Sequence, residues 1–159
     1  MAFLLLPNHV DASGSGLRGL GMKMYSETVC ADVCRTCFIA SRLSCTANTG
    51  KTSPQCYATS TAFQTSMAYC ISTHCKEPSL GKIEDYWRNL LAGSTAGPLV
   101  APNRTYGETL KSITTSPSIM VKYGKPLNET SLVDEDKYNA YMNTMLTNEA
   151  DEYRHSYFA

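Results

Sequence analysis

Residues 56–75 read CYATSTAFQTSMAYCISTHC, and three of the chain's seven cysteines fall in that one stretch. Phe63, Met67, Cys70 and Ile71, with His74 following, recur at three-to-four spacing from a start near Ser60 or Thr61. That period predicts a helix. Thiols placed at its ends hold a metal, do redox chemistry, or staple the helix to a neighbour. A metal site wants paired CxxC motifs or a Cys/His set, yet only Cys34-Arg-Thr-Cys37 has that spacing, with His74 a thin supplement. A redox site wants its CxxC after a strand, whereas this one lies inside an apparent helix. Staples want an even set of cysteines in an oxidising compartment, with one thiol left over here. The sequons Asn103-Arg-Thr and Asn128-Glu-Thr, two candidate N-glycosylation sites, agree with such a compartment. Staples are the preferred reading.

Upstream, SETVCADVCRTCFIASRLSC predicts a first helix from Ser26, with Glu27 favourable in its opening turn. Cys30, Val33, Cys34, Cys37, Phe38 and Cys45 fall near one face. Residues 46–55, TANTGKTSPQ, are polar and turn-forming. If the two helices run antiparallel across that loop, facing residues have position numbers with a nearly constant total. Cys30 with Cys75, Cys34 with Cys70 and Cys45 with Cys56 meet this condition as a nested ladder. It is one of the fifteen connectivities that six cysteines allow. Cys37 then stands opposite Met67 and is the odd thiol.

Residues 1–25 are Gly- and Ser-rich and predict a flexible N-terminal arm, leaving 26–159 as one cysteine-rich helical domain. Ile83, Tyr86, Trp87, Leu90 and Leu91 form the clearest helical stripe, capped by Ser79 and stopped by Gly93. Tyr106–Ile113 predicts a short helix after a Pro/Gly connector. Ser131-Leu-Val-Asp134 has the shape of a capping box for a long final helix carrying Tyr138, Tyr141, Met142, Met145, Glu149, Tyr153 and Tyr157. No stretch alternates with period two. The fold class is therefore all-α: an antiparallel, disulfide-stapled hairpin plus further amphipathic helices.

The formal net charge is zero, which argues against a nucleic-acid partner. No apolar run reaches the ~18 residues of a membrane-spanning helix. AFLLL at residues 2–6 is shorter than the ~7 residues of a signal core and lacks a basic flank. If the chain is exported, its signal is atypical or lies upstream.

The segments GLGMKMYSETVCADVC, LSCT, CYATSTAFQTSMAYCISTHC, IEDYWRNLLAG and PLNETSLVDEDKYNAYMN resemble the extracellular N-terminal domain of fungal ferric reductase-like transmembrane proteins, the ferric-chelate reductase family. The resemblance implies a domain on the extracellular or luminal face of a plasma or vacuolar membrane. A haem-bearing membrane bundle would follow it, then FAD and NADPH domains, in reductive iron or copper uptake. Its implied partners are that membrane domain and ferric chelates. This chain lacks haem-ligating His pairs and a nucleotide cradle, so haem and FAD are expected only in the other parts, and none in this chain. Cys37 is additional to the family's six-cysteine pattern and is expected to be a free thiol.

Sharper site readings compete with plain ones. Met67, His74 and Cys75 offer soft metal or haem ligands, and Asp32 lies between two cysteines as a haem-ligand candidate. The plain alternative packs Met67, bridges Cys75 and solvates Asp32, and it is preferred. Asp134, Glu135 and Asp136, with Glu149, Asp151 and Glu152, offer hard oxygen ligands. A helix-dipole role and a solvated face are preferred for them. Tyr86 and Trp87 fall on the core stripe. Tyr153, Tyr157 and Phe158 fit a membrane-interface belt, or else simply pack near the end of an amphipathic helix. His9, His74 and His155 are scattered, so no catalytic residue and no metal site is assigned. The competing function is a free-standing secreted cysteine-rich module binding metal, haem or a protein partner.

Overall fold

The computed structural model describes residues 27–93 and 99–157. The N-terminal arm over 1–25 and the helix start at Ser26 lie outside them. Six helices follow in order among the described residues: α1 Val29–Phe38, α2 Pro54–Thr59, α3 Thr61–His74, α4 Leu80–Leu90, α5 Tyr106–Lys111 and α6 Glu135–Tyr157. Sheet pairing is limited there to isolated bridges at Arg42–Pro126 and Met120–Leu132. The all-α expectation is met.

α3 is the axis. It packs on α1, α2 and α5, while α1 also packs on α6 and α4 on α5. Phe63, Met67 and Ile71 are buried, and so are the intervening Gln64, Thr65 and Ser66. A helix with neighbours on several sides must bury polar residues too, and each needs a partner. Gln64 donates to the Ala58 carbonyl and to Asn103 Oδ1 at 3.0 Å. Thr65 Oγ1 accepts from Thr130 at 2.7 Å, and Ser66 Oγ accepts from the Ser131 N–H at 2.8 Å. The polar triplet thus ties two distant loops to the central helix.

Three local readings change. The first helix stops at Phe38 rather than running to Cys45, because the next residues bond elsewhere. Arg42 N donates to Lys125 O at 3.0 Å, and Ala40 O and Arg42 O accept from Gly124 and Leu127 at 3.1 and 2.9 Å. The turn read over 46–55 ends early, because Pro54 opens the short α2, while the helix expected from Ser60 or Thr61 is α3, with an extended Ser60 between the two. Ser60 receives the last turn of α2 and accepts from Phe63 N to cap α3. The start of α6 is capped by Asp134, whose Oδ1 accepts from Lys137 N at 3.0 Å. Ser131 is not that cap: its N–H is held by Ser66, and its hydroxyl donates to Glu129 O at 3.1 Å.

The helix stripe read at 83–91 is correct in its essentials. Ser79 caps α4, and Ile83, Tyr86, Trp87 and Leu91 are buried. Trp87 Nε1 donates to Arg104 O at 2.8 Å, satisfying the one polar atom of a fully buried indole. Gly93, at φ +95°, takes the left-handed turn that ends this segment. α5 has a full capping box: Glu108 N donates to Thr105 Oγ1 at 3.2 Å, and the Glu108 carboxylate accepts from Thr105 N at 2.9 Å. This pairing holds the exposed Glu108 carboxyl below its usual range.

Candidate functional site

The chemistry-bearing residues lie along the α1–α3 seam and on the α6 face beside it. Cys30 in the first turn of α1 is bridged to Cys75 at the end of α3, and Cys34 to Cys70 one turn inward. Their Cα–Cα distances are 5.5 and 5.9 Å. The two rungs require α1 and α3 to run antiparallel. Cys45 is bridged to Cys56 with Cα–Cα 5.6 Å. That third rung joins the turn after α1 to α2 rather than two facing helices. All three distances sit in the ordinary disulfide range. Such bridges belong to proteins that mature in an oxidising compartment, as extracellular or secreted domains do.

Cys37 is the remaining cysteine, half-buried and unbridged. It looks across to the start of α6. A hollow of about 30 Å³ beside it is lined by Thr36, Val121, Tyr123, Asp134, Lys137 and Tyr141. Burial, reinforced by Asp134 and opposed by Lys137, pushes the Cys37 thiol up to about 11. Near neutral pH it is therefore a protonated thiol and a poor nucleophile, since the thiolate is the reactive form. Tyr138, buried on the inner face of α6, is pushed up to about 12 by burial, then by Cys37 and Glu135.

The soft-ligand candidates are dispersed. Met67 is wholly inside the core, and Cys75 is in a disulfide. His74 stacks on Tyr138 with ring centroids 3.9 Å apart and planes 21° apart, and its Nε2 lies 3.5 Å from Glu135 Oε1. The imidazole therefore docks the end of α3 onto the start of α6. Asp32 is half-buried against α4 rather than on an outer solvated face. Tyr86 is raised well above the usual tyrosine range by burial, then by the nearby Asp32 carboxylate, with Arg35 opposing.

Among the acidic candidates, Asp134 caps α6 and Glu135 meets His74, while Asp136 is exposed. The side chains of Glu149, Asp151, Glu152, Tyr153, Tyr157 and Phe158 lie outside the described residues. Among those described, no three His, Cys, Asp or Glu side chains converge as a metal-binding group. Asn103 and Asn128 are both exposed, on the loops tied to α3.

Several structural residues carry no pattern in the sequence. Arg35 Nε donates to Leu91 O at 2.9 Å, and its guanidinium lies over the Tyr57 ring and against Gly93. Glu84 on α4 accepts from the N–H groups of Tyr106 and Gly107 at 3.1 and 2.9 Å, a carboxylate at the positive end of α5. A charge on an otherwise apolar helix face is the signal each offers, but it does not name the partner. Among the described residues, no helix is long and apolar enough to cross a membrane.

No protein-family model matches the chain, and no characterised protein or solved structure is significantly similar to it.

Proposed function

We propose that the chain is the extracellular or luminal domain of a ferric-chelate reductase-like membrane protein engaged in reductive iron or copper uptake. In this reading it is a scaffold accessory to electron transfer from NADPH to ferric iron. Haem, FAD and NADPH would be held by other domains. Ferric chelates would be the substrates passing it, and a membrane domain its neighbour.

The observation that carries the reading is the sequence resemblance, spread over five separate segments. It has an internal consistency in its favour: all six bridged cysteines lie within those segments, and Cys37 lies in none of them. The same segments supply the buried Trp87 and the Asp134 cap of α6. A disulfide-laddered helical body with its one spare thiol kept protonated is suited to support rather than to turnover.

The test lies in the gene. The coding frame is expected to continue past Ala159 into apolar helices with spaced His pairs. A stop at that point, with an export signal upstream, would overturn the proposal in favour of a free-standing secreted module that binds metal, haem or a protein partner.

A further inference from the structure

Hydroxyl side chains in this fold are mostly engaged in structure. Ser53, Ser60, Ser79 and Thr105 cap helices, and Thr36, Thr59, Ser66, Thr73 and Thr109 bond back to carbonyls of their own helices. The run Thr114-Thr115-Ser116-Pro117-Ser118 is different. Its four hydroxyl residues are all exposed, outside any helix, and form no hydrogen bond among the described residues. Its backbone makes none there either. The chain is anchored just before it, by Ile113 N to Leu110 O at 3.2 Å, and just after it, by Leu132 N to Ile119 O at 2.7 Å. Pro117 holds Ser116 away from helical conformations. The result is an exposed strap, bent at Thr115, between two fixed points.

We propose that this strap is an O-glycosylation site, on Thr114, Thr115, Ser116 and Ser118. A sugar transferase needs an acceptor hydroxyl free of other bonds on backbone that fits an extended groove, and Ser/Thr-rich segments with proline are the usual carriers of such sugars. The donor is a phosphate-activated sugar. The side-chain oxygen attacks the anomeric carbon and forms the new C–O bond. The bond from that carbon to the phosphate oxygen breaks, and the phosphate leaves with the electron pair. The hydroxyl proton passes to a base of the transferase. The site rests on the extracytosolic reading given above, because the transferases and their donors act during export.

Peptide mapping of the full chain, isolated from the cells that make it, tests both. The peptide spanning 112–122 is expected to carry whole-sugar mass increments that survive an N-glycan amidase and are lost on mild alkaline elimination. Replacing all four residues together (T114A, T115A, S116A and S118A) should abolish the increments without changing the three disulfides. A bare 112–122 peptide in a chain whose cysteines are bridged overturns the site and leaves the extracytosolic reading standing. Reduced cysteines together with a bare peptide overturn both. Alkali-labile sugar found only on other Ser or Thr residues overturns the assignment to this strap.

Discussion

The two halves of the molecule are held by different physics. Residues 30–75 contain every cysteine, and α1, α2 and α3 are cross-linked there by three disulfides. Residues 79–157 contain none, and α4, α5 and α6 are held by burial, hydrogen bonds and ion pairs such as Lys82–Glu27 and His74–Glu135. In the first half the bridges limit how far the unfolded chain can expand, and they reinforce a core that also buries Phe38, Phe63, Met67 and Ile71. In the second half the anchors are large: Trp87, Tyr86, Tyr106 and Tyr138. Both halves bury aromatic rings, and only the first adds sulfur.

Breaking the rungs tests the first half of that contrast most severely. Replacing both Cys30–Cys75 and Cys34–Cys70 by serine pairs should cost about 2–5 kcal/mol for each bridge. Urea denaturation should show the midpoint fall far enough to leave the domain largely unfolded at physiological temperature. A midpoint unchanged by that loss would mean the contrast is false.

Next in size is Trp87→Ala, which removes a fully buried side chain together with its bond to Arg104 O. It should cost about 3–5 kcal/mol. Amide exchange should quicken throughout α4 and α5 and much less between Cys30 and Cys75, where the bridges persist. Equal quickening in both halves would show that they unfold as one unit.

The smallest effect concerns pH, at the contact between the halves. Cys37 on α1 and Tyr138 on α6 both release their protons later in the fold than in the open chain, the former at about 11 rather than 9.0 and the latter at about 12 rather than 10.0. The unfolded chain therefore loses these protons first as pH rises. Their contribution to stability is complete below pH 9 and declines between about pH 9 and 12. Denaturation midpoints across that range should fall less in Cys37→Ala than in the wild type. Alkylation of Cys37 at pH 8 should be slow compared with a free thiol in solution.

The sequence speaks clearly where a single helix period or cap decides the outcome, as at Ser79, Ile83 and Trp87. The first two rungs were likewise open to inspection, because two antiparallel helices impose a simple arithmetic on facing residues, whereas Cys45–Cys56 joins a turn to α2. It was less informative where the chain chooses between partners. Nothing local in FIASRLSC says that Arg42 will bond to residues 125 and 127 and so end α1 at Phe38. Ser131 and Asp134 both looked like capping residues, and the difference lay in Ser66, 65 positions away, which claims the Ser131 N–H. Around Cys37, the period gives its place on α1 but not its view of α6, because that view depends on how α6 leaves the loop at 127–133.

Gly93 gives the sulfur-free half a share in the rigidity of the other. A β-carbon there would stand 2.6 Å from an Arg35 guanidinium nitrogen, so the bare backbone leaves room for the guanidinium whose Nε donates to the carbonyl of Leu91. To swivel away from α1, the end of α4 must give up the bond from Arg35 Nε to Leu91 O, while the guanidinium keeps its place over Tyr57 on α2. The junction behaves as a bolt rather than a hinge, with its shank rooted in a helix that is itself welded to α3.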